Sequence, residues 1–172
     1  MPLETMQDLL LHQLKDIYSA EQQLTKALPK LAEHADSEDL AQAFRDHLAD
    51  TTRQVERLDR IFTKLDARPG NVVCQGMKGL IEEADELMEE DGSEAVVDAG
   101  LISAAQRVEH YEISAYGSAK AVAALLGHAD IVKLLDESQA EETAADKKLS
   151  LIATTDVNAR AAGTDPSMAA RV

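Results

Sequence analysis

The chain has no tryptophan, a single cysteine among 172 residues, and aromatic residues at only 3%. One cysteine, Cys74, excludes an intramolecular disulfide. With so few rings the core must be built mostly from Leu, Ile, Val and Ala, and few β-branched runs favour helices over strands. No apolar stretch is long enough to span a bilayer. No basic segment followed by an apolar run opens the chain, so no signal peptide is expected and a reducing cytoplasm is the expected location. Positive charge is also scarce: 17 Lys and Arg stand against 32 Asp and Glu, for a net charge of −15. That sign disfavours nucleic acid and anionic membrane surfaces as partners, and it suits solubility and the attraction of cations.

What is present is helical periodicity. Leu10, Leu14, Ile17, Leu24, Leu28 and Leu31 recur three or four apart and predict a helix over 3–35, with a bend at Pro29. Phe44, Leu48, Thr51, Val55, Leu58 and Phe62 predict a second over 38–65, capped by Asp36-Ser37 and ended by Arg68-Pro69-Gly70. A glycine-punctuated stretch with a short helix over 77–90 follows. Two more long helices are expected over 94–126, capped by Ser93 and stopped by Gly127, and over 129–154. The last residues, RAAGTDPSMAARV, lack any pattern, so residues 1–158 read as one domain and 159–172 as a disordered tail. Short, long, short connections between four long helices describe an all-α antiparallel four-helix bundle, with one long crossover carrying the short helix between the second and third.

Several charges occupy positions that such a bundle reserves for its core. Glu21 interrupts the stripe of the first helix. Glu109 and Glu112 share a face with Ala105 and Tyr116, and Glu142 aligns with Leu135, Ser138 and Leu149. The second helix offers Asp50 and Gln54, and Asp146 lies one turn after Glu142. Glu21 precedes Asp50 by 29 residues and Glu112 precedes Glu142 by 30, a loose twofold pattern. Converging buried carboxylates repel one another and lose hydration, and divalent cations remove both problems. Oxygen donors suit iron or manganese, and a shared carboxylate can join two ions. Each residue alone also fits a wetted helix edge. His47 reads as a structural or surface histidine, His110 as a supporting or packing residue, and Cys74 as a buried thiol.

The segments DIYSAEQQLTKALPKLAEHA, HLADTTRQVERLDRIF, GLIEEADELM, AAQRVEHYEISAYGSA and EETAADKKL resemble the YciE/YciF family of ferritin-like proteins, from about Leu3 to Asn158. The resemblance implies a ferritin-like bundle, a homodimer and a bacterial stress role, with a ferroxidase-like di-iron site that uses O2 or peroxide. On this chain the family's carboxylates match Glu21, Glu109, Glu112 and Glu142, and polar positions near them match Gln54 and Asp146. Asp50 stands where the family usually has Glu. The Glu-x-x-His pairs of ferritin-like sites are missing, with Arg53 and Ala145 in the histidine places. Those departures leave open a second expectation, a non-catalytic stress-response bundle acting through dimerisation or a protein partner.

Overall fold

Thr5 opens the first helix with a reciprocal cap. Its hydroxyl accepts the Asp8 N–H at 3.1 Å while the Asp8 carboxylate accepts the Thr5 N–H at 2.9 Å, so two end groups are satisfied at once. The structure is a computed structural model and describes residues 3–164. Its helices are α1 (Met6–His34), α2 (Glu38–Lys64), α3 (Gln75–Glu89), α4 (Glu94–Leu125) and α5 (Ala129–Ile152); a π-helical turn (Ala153–Val157) then leads into the short α6 (Asn158–Ala161). Among the described residues there is no strand. Among the described residues no helix is long and apolar enough to cross a membrane either.

The elements stop where the chain chemistry changes. α1 continues through Pro29 to His34. After α2 the backbone turns through left-handed conformations at Asp66 and Gly70, with φ of 48° and 74°. The second costs nothing because glycine has no Cβ. Gly127, with φ 78°, makes the turn between α4 and α5. Neither Ser37 nor Ser93 caps its helix through the side chain. The N–H groups of Asp36 and Ser37 are instead taken up by the buried carboxylate of Asp98 on α4, at 3.1 and 2.8 Å.

α1 packs along α2 and α4 along α5, with further contacts between α1 and α4 and between α2 and α5; α3 lies on α4 and α1. The chain end differs from the expectation of a tail beginning at 159. α6 and the π-helical turn pack on α4, and Val157 and Ala159 are buried. Two small apolar residues in a short run carry too little periodicity to announce a helix, yet they are enough to seat one. Residues 165–172 of the expected tail lie outside the described residues.

The core is divided in two. One apolar cluster gathers Leu24, Leu28, Phe44, Leu101, Val108 and Leu149, and the other Leu10, Leu14, Leu58, Phe62, Tyr116 and Leu135. On every long helix the break between them holds a buried polar residue. Glu21 lies between Ile17 and Leu24, Thr51 and Gln54 between Phe44 and Leu58, Glu109 and Glu112 between Val108 and Tyr116, and Ser138 and Glu142 between Leu135 and Leu149.

Candidate metal centre

That break is a polar layer across the packed long helices. Helical periodicity delivers its members: residues three and four apart share a face, so Glu109 and Glu112 leave α4 in the same direction. On α2 the face runs Phe44, His47, Thr51, Gln54 and Leu58, all buried. One donor atom from each of His47, Glu109, Glu112 and Glu142 lies within 4.8 Å of those of the other three. His47 Nε2 is 3.5 Å from Glu109 Oε1 and 3.7 Å from Glu142 Oε2. Glu21 joins from α1, fully buried, with one oxygen accepting the Tyr116 hydroxyl.

The remaining seams are held by polar contacts. Gln54 Nε2 donates to Glu142 and, at 3.0 Å, to Glu141 Oε2. Arg57, 5% exposed, grips Glu141 with both terminal nitrogens at 2.9 and 3.0 Å and reaches Ser138 Oγ at 2.7 Å. Glu141 thereby neutralises Arg57 and leaves the inner carboxylates without a cation of their own.

Their electrostatics follow from that lack. Burial is the largest influence in each case. It raises Glu21, Glu109 and Glu112 well above the usual carboxylate range, with neighbouring carboxylates adding to the rise. Burial also lifts Glu142 to about 7, against the pull of hydrogen bonds from Glu109 and Gln54. It lowers His47 to about 4, so the imidazole is neutral near pH 7 and its unprotonated ring nitrogen can serve as a ligand. Many of these atoms have no hydrogen-bond partner: Glu21 Oε2, both His47 nitrogens, Gln54 Oε1, Glu109 Oε2, both Glu112 oxygens and Glu142 Oε2. Buried polar atoms are almost always paired. A concentration of unpaired acceptors facing one another is what a bound cation would satisfy, and the donor set fits one.

Five of the seven residues read as ligands from the sequence therefore meet in this layer: Glu21, Gln54, Glu109, Glu112 and Glu142. Asp50 and Asp146 do not enter the group. Asp50 lies off the buried stripe and is paired with Arg53, its side chain 28% exposed. Asp146 accepts from Gln106 Nε2 at 2.9 Å. His110 is an exposed residue beside Asp146 and supports nothing in the layer. His47 is the donor that the sequence reading set aside. Its spacing of three from Phe44 and four to Thr51 is the sequence signal that puts it on the buried face of α2.

An all-helical chain with a buried His/Glu group defines a class, and comparison with known proteins supplies the family. Residues 5–162 match the family described as Domain of unknown function (DUF892). The chain is 45% identical over 162 residues to Protein YciF of Escherichia coli (strain K12), covering 94% of this chain and 98% of that one. The crystal structure of the E. coli stress protein YciF superposes with a TM-score of 0.87 at 46% identity, covering 90% of this chain and 98% of the other. YcfI of Rhodopseudomonas palustris, described as a candidate structural protein, gives 0.83 at 51% identity, covering 86% and 94%. This chain belongs to the DUF892 family and is YciF-like.

Proposed function

We propose that this protein is a ferritin-like di-metal carboxylate protein that oxidises Fe(II) with O2 or peroxide in a stress response. The observation that carries the reading is the set of unpaired buried donors from α1, α2, α4 and α5. The one-crossover bundle belongs to the same reading. It is supported by Asp98, near the start of α4, meeting the start of α2, and by Lys64, at the end of α2, meeting Asp130 at the start of α5. The connection through α3 then returns along the length of α2. The stress role rests on the relation to YciF, and a cytoplasmic homodimer is the form we assign.

His47, Glu109, Glu112 and Glu142 would hold one ion, and Glu21 with Gln54 Oε1 offers the donors for a second. Iron bound there would supply one-electron redox chemistry toward O2 or peroxide, and manganese would suit the same oxygen-rich donors. The chain's own part is to exclude water with the two apolar clusters, to keep His47 neutral, and to anchor Glu21 through Tyr116 and Glu142 through Gln54.

Metal analysis of protein purified without chelators tests the reading. About two equivalents of iron or manganese per chain are expected, falling to a small residue in Glu109→Ala/Glu112→Ala. Full Fe(II) oxidation by that double variant would overturn it. The absent histidines at 53 and 145 favour a second reading, an architectural bundle without turnover. Protein that carries no metal, and whose melting temperature is unmoved by added Fe(II), would establish that one.

A further inference from the structure

A buried centre needs a way in, and the structure offers one on the side where a ligand is missing. Between α2 and α5 there is a cavity of about 250 Å3. Its inner wall is formed by His47 and Glu109, members of the donor group. His47 is only 6% exposed, and neither of its ring nitrogens has a partner. The outer rim carries Asp46, Asp50 and Lys148. A second cavity, lined by Asp16, Tyr111 and Ser114 on the α1–α4 side, touches none of the four donors.

Ala145 also lines the α2–α5 cavity. It stands three residues after Glu142, the place from which a side chain shares the carboxylate's face. A histidine there would project toward the centre and occupy this space, whereas a methyl group leaves it open. We propose that the α2–α5 cavity is the entrance through which divalent cations reach the buried donors, with Ala145 setting its width and Asp46, Asp50 and Lys148 setting the charge at its mouth. The inference rests on the metal-binding reading above.

The rim chemistry gives each residue a distinct task. Asp46 is held by Lys148 at 2.5 Å and Asp50 by Arg53, both pairs at the surface. Exposed pairs of this sort are weak and exchange readily. An arriving dication competes with Lys148 for Asp46, and Lys148 opposes its approach. His47 is the first donor met at the cavity floor. Asp50, although outside the ligand group, thus acquires a function on the approach.

An entrance has a kinetic signature that a ligand lacks. Changing its width alters association and dissociation by the same factor and leaves the equilibrium constant alone, because equilibrium does not depend on the path. Cobalt(II) added to the metal-free full chain can be followed by stopped-flow quenching of tyrosine emission, which no tryptophan obscures. In Ala145→Leu both rates are expected to fall roughly tenfold or more with Kd nearly unchanged. In Lys148→Gln association is expected to rise, and in Asp50→Asn to fall, by roughly three- to tenfold at low ionic strength, and both effects shrink in salt. Unchanged association in Lys148→Gln and Asp50→Asn, in protein that binds cobalt normally, would overturn the entrance while leaving the metal site standing. The same holds for a Kd raised without slowing in folded Ala145→Leu. Failure of the wild-type chain to bind cobalt at all would instead defeat the metal reading itself.

Discussion

Glu112 has neither oxygen paired, and its pKa is raised first by burial and then by Glu21, so in metal-free protein it works against folding. Glu112→Gln removes the carboxyl that must take up a proton on folding and adds an amide that can donate to the neighbouring carboxylates. The metal-free variant is expected to be more stable by about 1–2 kcal/mol, seen as a higher urea midpoint in EDTA, while its affinity for cobalt(II) falls. A lower midpoint would show that Glu112 is already satisfied. Arg57 is the opposite case, since its loss strands Glu141 and Ser138. Arg57→Met should cost about 3 kcal/mol in the same measurement. The sequence made Glu21, Glu109, Glu112 and Glu142 readable because each sits squarely on an apolar stripe. It misdirected attention to Asp50 and away from His47, because an acidic residue at a twofold-related spacing looks like a ligand. Only the α2 stripe shows that position 50 turns outward. Arg57 left no trace at all, because a guanidinium becomes buried only when a second helix brings it Glu141.

The join between α1 and α2 illustrates why helix ends are harder to read than helix bodies. Periodicity three and four apart set the extent of all four long helices to within a few residues. Ser37 carries the residue type of a cap, and the sequence reading gave it that task. In the structure the Ser37 side chain makes no capping bond, and the N–H groups of Asp36 and Ser37, just ahead of the first turn, are taken up by Asp98 of α4, which is 1% exposed. A tertiary contact has replaced a local one, and no spacing within α2 could announce it. The consequence is a clear ordering of two substitutions. Asp98→Ala should lower stability by about 1.5–3 kcal/mol, the usual worth of bonds to a charged acceptor, and it also unties α4 from the α1–α2 turn. Ser37→Ala should cost markedly less, because its side chain makes no capping bond. Thermal unfolding of the two variants decides between the caps, and equal losses would return the role to Ser37.

Across the molecule as a whole, the buried layer couples stability to protons, and a bound cation would reverse the sign of that coupling. Glu21, Glu109 and Glu112 have folded pKa values well above their ordinary value of 4.5, and Glu142 is raised to about 7. Between about 4.5 and those raised values the native state holds protons that the unfolded chain has lost, so these groups lower stability as pH rises. His47 acts the other way: with a folded pKa of about 4 against 6.5, it favours folding increasingly as pH climbs through that interval, and its contribution is complete above 6.5. Four carboxylates outweigh one imidazole below pH 6.5, and above it they act unopposed. Metal-free protein is therefore expected to melt at a lower temperature at pH 8 than at pH 6, and Glu112→Gln should flatten that difference. A bound divalent cation must displace the retained protons, so its affinity rises with pH and the sign of the slope reverses. Scanning calorimetry in EDTA and in excess cobalt(II), across pH 6–8, measures both slopes. Titration calorimetry in buffers of different ionisation enthalpy counts the protons released. A metal-free melting temperature that stays flat or rises over this range would mean that the layer is not the protonated, cation-starved cluster its unpaired oxygens describe.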